Sequence, residues 1–361
     1  MEDMVYSVMT DAGQVTAAWL TEALRRSGAL TAGAVAAVEV KAEESTWSSS
    51  VRLRPTYTPD VAGRLPTALF LKLCNGAGFI GQSEVDYYTR DYVGLTDAPL
   101  VTCYDAQYDP ASGAYHILLD DLSPTHQATW DVTPTLAYGQ ALARGLARLH
   151  AYRWTPEQRA AIGAAMPDAA KLGRYVEVAR AGLEPMLADV AGDIEPRWAT
   201  LWRDVFDWHP PRMVERARNP AGFTVVHGDA NPGNILAPIQ GEAQIYLVDR
   251  QPFDWSLTVW LGASDLTYMM VTYWETEVRR ALEMDVLREY HEELGRRGVS
   301  DYTWDELLAD YRLCVAQAIY VPTEWCSTEQ GRREMKWVWW RELQRAMAAF
   351  DDWRCYQLQH G

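Results

Sequence analysis

Three side chains able to bind a hard cation or accept a proton lie close together in residues 223–251: Asp229, Asn234 five positions later, and Asp249. Phe223 to Val226 is a short apolar run that reads as a buried strand ending at His227. Asp229 falls in the turn that follows, which Pro232 and Gly233 keep from becoming a helix. A second apolar run, Ile245 to Val248, ends in Asp249, and the turn Gln240-Gly241-Glu242 folds it back beside Ile235 and Leu236 as a hairpin. This spacing predicts two carboxylates and an amide oxygen at one end of a small ribbon. Phosphoryl transfer to a hydroxyl needs such a set: a carboxylate to position the hydroxyl and take its proton, and one or two oxygen ligands for Mg²⁺. Asp229 suits the first role, Asn234 and Asp249 the second.

A fourth residue stands out by rarity. The chain has four lysines among its 33 basic residues, and Lys72 interrupts an otherwise apolar strand, Leu69 to Leu73. An ammonium placed there needs anions around it. Glu84, on the next predicted helix, Ser83 to Tyr92, is within reach in sequence.

The elements that must position these groups follow from periodicity. Trp19, Leu20, Ala23 and Leu24 give a one-faced helix over Val15 to Arg26, stopped by Gly28. Val35 to Val40, Val51 to Tyr57, Leu69 to Leu73, Leu100 to Ala106 and Ala114 to Leu122 read as strands of a five-stranded antiparallel sheet. Thr133 is the expected N-cap of a long helix ending at Tyr152, with Pro134 in its first turn and His150 as a hydrogen-bonded structural residue. Residues 155–218 are expected to be helical, beginning with a capping box at Thr155-Pro156-Glu157-Gln158. The tryptophan-rich C-terminal helices, in which Trp337 and Trp340 share a face, read first as packing and second as a box for a cationic amine.

The spacing D-x-x-x-x-N followed by an apolar strand ending in Asp, with His227-Gly228 in front, resembles the aminoglycoside phosphotransferase and choline kinase superfamily. Within it, Asp249-Arg250-Gln251-Pro252-Phe253-Asp254-Trp255 and Gly262-Ala263-Ser264-Asp265-Leu266 look closest to the ecdysteroid-kinase-like and uncharacterised bacterial branches. The resemblance implies an α/β (α+β), two-lobed protein-kinase-like fold. Residues 1–121 would form a small antiparallel-sheet nucleotide lobe, and residues 122–361 a larger, mainly helical lobe. It further implies that Lys72 holds nucleotide phosphates with Glu84 as its partner, and that Ser48, Ser49 and Ser50 belong to a phosphate-covering turn. Asp120 and Leu122 would flank the hinge that reads the base, and His227 and Asp265 would support the catalytic loop. Asp254 and Trp255 are candidates for substrate contact. The implied activity is O-phosphorylation of a small hydroxylated molecule using ATP (or GTP) and Mg²⁺. A nucleotide-binding pseudokinase is the competing reading. No arginine follows His227, and only Arg250 to Phe253 separate Asp249 from Asp254, which argues against a regulated protein kinase.

Gly76-Ala77-Gly78-Phe79-Ile80-Gly81 is a literal G-x-G-x-x-G and raises a third reading, an NAD(P)-dependent oxidoreductase. Packing opposes it: the preceding strand carries a lysine, and the helix continues with bulky Tyr87 and Tyr88. In the kinase reading the same glycines make a mobile connection. A formal net charge of −16 disfavours nucleic acid and favours a cationic or neutral substrate over an anionic one. Five scattered cysteines with no C-x-x-C pair suggest neither a disulfide framework nor a zinc site and fit a reducing cytoplasm. No apolar stretch is long enough to span a bilayer, so no membrane association is expected.

Overall fold

The computed structural model describes residues 8–44, 49–76, 80–241 and 244–359, and for Glu43 and Glu44 the backbone alone. Ser48 and Gly78 lie outside the described residues. The chain divides into two compact units: Met1–Thr96, Leu100–Gln127 and Ala237–Asp254 form the first, and Asp97–Pro99, Ala128–Leu236 and Trp255–Gly361 the second.

The first unit is built on the expected sheet. Its order is Val35–Glu44, Ser49–Tyr57, Leu69–Cys74, Tyr115–Asp120, Cys103–Tyr108, with every neighbouring pair antiparallel. Alternation along the strands decides which residues go where. Val51, Leu53, Leu69, Leu71, Leu73 and Leu118 face one side and bury against Trp19, Leu20, Ala23 and Leu24 of the helix Ala17–Arg26. Each such side chain contributes roughly 1.5–3 kcal/mol by leaving water. Thr16 caps that helix through the Trp19 amide at 3.1 Å. Lys72 necessarily points to the opposite face, in register with Ser50 on one neighbour and Ile117 on the other. Two positions along from Ile117, Tyr115 shares that face.

A strand with antiparallel partners on both sides is not the parallel unit a dinucleotide fingerprint requires. At its described ends the glycine segment makes close backbone approaches. Gly76 has φ 75°, and a Cβ there would meet the Ser112 carbonyl at 2.4 Å. Gly81 donates its N–H to the Pro252 carbonyl at 2.7 Å. The predicted helix after it is α-helical only over Ser83–Asp86, then widens into a π-helix over Tyr87–Asp91.

The second unit is mainly helical. Leu136–Tyr152 packs against Thr276–Arg296, and Ala169–Arg180, Pro196–Arg216, Trp304–Gln317 and Lys336–Asp352 complete the body. The long helix begins two residues later than expected: Thr135, not Thr133, accepts the Tyr138 N–H at 3.2 Å. The helix takes Thr135 as its cap and leaves Thr133 and Pro134 outside it. The capping box at Thr155 and Gln158 forms as read. Phe223–Val225 pairs antiparallel with Val259–Leu261, a strand that sequence reading did not anticipate. On the last long helix, Trp339 is the fully buried tryptophan, whereas Trp337 is 68% exposed, so the Trp337 and Trp340 face is not the packing face. No helix among the described residues is long and apolar enough to cross a membrane.

Candidate active site

Each unit carries one cluster of chemistry-bearing side chains. In the first, the Lys72 ammonium lies 2.9 Å from Glu84 Oε1 and 3.0 Å from Asp249 Oδ1. Burial works against its charge, but Asp249 and Glu84 outweigh burial and hold its pKa above the ordinary lysine value. Glu84 is almost completely buried, and burial pushes its carboxyl up while Lys72 pulls it down. Its second oxygen accepts a short hydrogen bond from the buried Tyr115 hydroxyl. Asp249 adopts φ 55°, a left-handed conformation uncommon outside glycine and tolerated best by Asp and Asn. It directs a half-exposed carboxylate at Lys72.

This triangle is bolted together from behind. Arg250, next to Asp249, is 1% exposed and pairs with the fully buried Asp91 on the π-helix after Glu84. Its guanidinium lies over the Tyr87 ring at 5.8 Å, and Tyr87 donates its hydroxyl to the Leu247 carbonyl at 3.4 Å. With Gly81 bound to Pro252 and Ile80 bridged to Phe253, the Glu84 segment is fastened to the Asp249 segment at four places.

Ser50 sits opposite Lys72, where its hydroxyl could face a phosphate, whereas Ser49 pairs with Leu73 on the other face of the sheet. Asp120 is already engaged, accepting the Tyr104 hydroxyl at 2.6 Å, and the Leu122 carbonyl accepts the His126 amide at 2.8 Å. Asp254 is exposed.

In the second unit, Asp229 is held from several directions. Tyr268 donates its hydroxyl to Oδ1 at 3.0 Å, Asn231 donates to the same oxygen at 2.9 Å, and Asn234 donates to Oδ2 at 3.0 Å. The Nδ2 of Asn234 also reaches the Asp229 carbonyl at 2.9 Å. Since that nitrogen is committed, Asn234 Oδ1 is the atom a hard cation would use, and the amide suits Mg²⁺, which takes few ligands from protein. Among the described residues no group of three or more His, Cys, Asp or Glu could hold a metal by itself.

The loop beneath Asp229 hangs from Asp265, which accepts the His227 amide at 2.7 Å and the Gly228 amide at 2.8 Å. His150 braces Asp265 at 3.1 Å and is itself held by the Tyr290 hydroxyl at 2.8 Å. Burial would raise the Asp265 pKa, yet His150 and these backbone donors hold it below the usual carboxylate value. Gly262 is required here: a Cβ would lie 2.4 Å from the Tyr290 oxygen. Trp255 stacks on Tyr175 at 6.3 Å and joins an interior aromatic group.

The structure therefore brings Lys72, Glu84 and Asp249 together in one unit, and His227, Asp229, Asn234 and Asp265 together in the other. A family model, the ecdysteroid kinase-like family, matches residues 87–298. The chain belongs to that family. Family membership places it among the kinase-like phosphotransferases that act on an alcohol group. No curated protein matches it in sequence. Solved structures share its protein-kinase-like fold at low identity. A spectinomycin phosphotransferase in complex with ADP and spectinomycin has a TM-score of 0.52 at 10% identity, covering 93% of this chain and 98% of its own. A Plasmodium vivax ethanolamine kinase has a TM-score of 0.54 at 11% identity, covering 88% and 81%. A Cryptosporidium parvum choline kinase has a TM-score of 0.51 at 12% identity, covering 89% and 88%.

Tyr115, Arg250 and Tyr268 escaped the sequence reading. Tyr115 is an ordinary aromatic in an alternating strand, and Tyr268 lies in a continuous apolar run. Only Arg250 left a signal, a charge directly after the acid that closes an apolar strand.

Proposed function

We propose that this family member transfers the γ-phosphoryl group of a magnesium-bound nucleotide, ATP or GTP, to a hydroxyl of a small molecule. The observation that carries the proposal is the buried Lys72 ammonium gripped by Glu84 and Asp249. A cation held this firmly in a sheet face beside Ser50 suits the α- and β-phosphates of a nucleotide. Asp249 and Asn234 are the proposed Mg²⁺ ligands; the ion would neutralise charge developing on the transferred group. Asp229 is the proposed base. Its carboxylate is oriented by Tyr268, Asn231 and Asn234, which suits it to meet the substrate hydroxyl and take its proton as the O–P bond forms. Glu84 and Tyr115 fix the lysine, and Asp265 with His227 fixes the loop. The division into a nucleotide lobe over residues 1–121 and a substrate lobe beyond them belongs to this proposal, as does a cytoplasmic setting.

A coupled ADP-release screen across hydroxylated metabolites and antibiotics tests the reading, with ³¹P NMR identifying the product. Phosphate-ester formation that requires Mg²⁺ is expected. Stabilisation by ATP that persists in EDTA, with no ester formed from any acceptor, would replace the proposal with a pseudokinase. A shift of melting temperature by NAD(P) alone would restore the oxidoreductase.

A further inference from the structure

Asp229 belongs to a closed ring of contacts, and one member of that ring, Tyr273, has no role in the mechanism above. Tyr268 donates its hydroxyl to Asp229 Oδ1 at 3.0 Å, and the Tyr273 hydroxyl lies 3.3 Å from that of Tyr268. The two tyrosine rings meet edge to face, with centroids 5.5 Å apart at 71°. Trp130 meets the Tyr273 ring edge-on at 5.8 Å and closes on the loop that carries Asp229, where a Cβ on Gly233 would stand 2.9 Å from the indole nitrogen. The Gly233 amide donates to Asn231 Oδ1 at 2.7 Å, and Asn231 donates in turn to Asp229 Oδ1 at 2.9 Å. Thr129 pins the tryptophan end of the ring, giving its amide and its hydroxyl to the Pro232 carbonyl at 2.7 and 3.1 Å.

The backbone explains how the two tyrosines come to meet. In an α-helix, residues five apart point about 140° away from each other around the axis. Tyr268–Tyr273 is instead a π-helical segment that follows the helix Ala263–Thr267, and its i→i+5 pattern brings the fifth residue back over the first. The direction of the hydrogen bonds follows from counting protons. A phenol has one, and Tyr268 spends it on Asp229, so Tyr273 is the donor between the two hydroxyls. Burial, with the Asp229 charge behind it, holds both phenols well above the ordinary tyrosine pKa, so both keep the protons this chain uses. A hydrogen bond accepted from Tyr273 polarises the Tyr268 O–H and stops that hydroxyl from turning away from Asp229.

We propose that Tyr273 is a positioning residue for phosphoryl transfer: acting through Tyr268, it holds the Asp229 carboxylate in place for the acceptor hydroxyl, and the π-helical turn is what puts it there. The proposal rests on the reading of Asp229 as base. Both phenols keep their own protons throughout, and only the carboxylate gains one from the acceptor.

The test measures single-turnover transfer from γ-labelled ATP by the full chain, to the acceptor found by the ADP-release screen and, with no acceptor added, to water. Tyr273→Phe, Tyr268→Phe, their double variant and Asp229→Asn are compared with the wild type, and circular dichroism checks each fold. Phenylalanine keeps the ring contacts, so the variants probe the hydroxyls alone. Tyr268→Phe should slow transfer about 10- to 100-fold and Tyr273→Phe about three- to tenfold, with Kd for Mg-ATP and KM for the acceptor nearly unchanged. The double variant should be no slower than Tyr268→Phe alone, because Tyr273 has then lost the group it acts through. Effects that multiply in the double variant, a raised KM in place of a slowed rate, or a wild-type rate in Tyr273→Phe would each overturn the proposal. If Asp229→Asn is slow while Tyr273→Phe is not, Tyr273 alone loses its role and the base stands. A wild-type rate in Asp229→Asn, or no transfer to any acceptor or to water, removes the underlying reading and this proposal with it.

Discussion

The two clusters handle charge in opposite ways. In the cluster of the first unit each buried charge has an answering one: Lys72 has Glu84 and Asp249, Arg250 has Asp91, and Tyr115 completes Glu84. In the second unit Asp229 is steadied by neutral tyrosine and asparagine donors, and Glu342 is buried beside the neutral Tyr273 hydroxyl and Trp325 indole. The difference teaches what each is built to receive. The first is a rigid, charge-complete cradle, in which a nucleotide would meet groups already in place. The second relies on burial and neutral donors to settle its carboxyls.

The strongest way to break this contrast is to unbalance the first unit. Arg250→Met leaves the buried Asp91 without its buried guanidinium partner, although Arg90 still stands 2.8 Å away. Loss of about 3 kcal/mol of stability is expected in urea denaturation, since removing one partner of a buried pair typically costs 3–5 kcal/mol. Adding Asp91→Asn should recover part of that loss. A change within experimental error would show that the cradle is not held by charge. Tyr115→Phe is a smaller perturbation. It removes one donor from Glu84 and should cost about 1–3 kcal/mol, together with weaker Mg-ATP binding in a thermal-shift titration. Unchanged nucleotide binding would make Tyr115 a packing residue alone.

The second unit is sharpened by pH. Burial raises Glu342 from 4.5 to about 8. Between those values the folded chain keeps a proton that the unfolded chain has lost. Fewer protons on the unfolded side give a negative slope, so stability should fall as pH rises from about 5 to 8. Glu342→Gln should flatten that slope in melting curves and be more stable than the wild type at pH 9. A steeper slope in the variant would contradict the assignment.

Much of this was legible in the sequence where the signal is local. All five strands of the large sheet were legible as alternating or apolar runs, and Lys72 announced itself by rarity. Tertiary contacts hid the rest. Val259–Leu261 is three buried apolar residues, which periodicity cannot tell from a helix segment. The π-turn that brings Asp91 to Arg250 has no sequence mark. Thr133 and Thr135 compete as caps, and nothing local in the sequence decides between them. Glu342 did leave a trace: it falls on the buried stripe of Trp339, Leu343, Ala346 and Phe350, where a carboxyl is out of place. The tryptophans around it drew attention away from that stripe.

Asp229→Asn tests the central proposal most directly. It keeps the side chain's shape and one oxygen while removing the charge that would accept the proton. Once an acceptor is found, single-turnover transfer from γ-labelled ATP, at matched nucleotide occupancy, should slow by roughly 10² to 10⁴ in the variant, with the dissociation constant for Mg-ATP nearly unchanged. Transfer at the wild-type rate would show that Asp229 is not the base and that the kinase reading has placed its chemistry on the wrong residue.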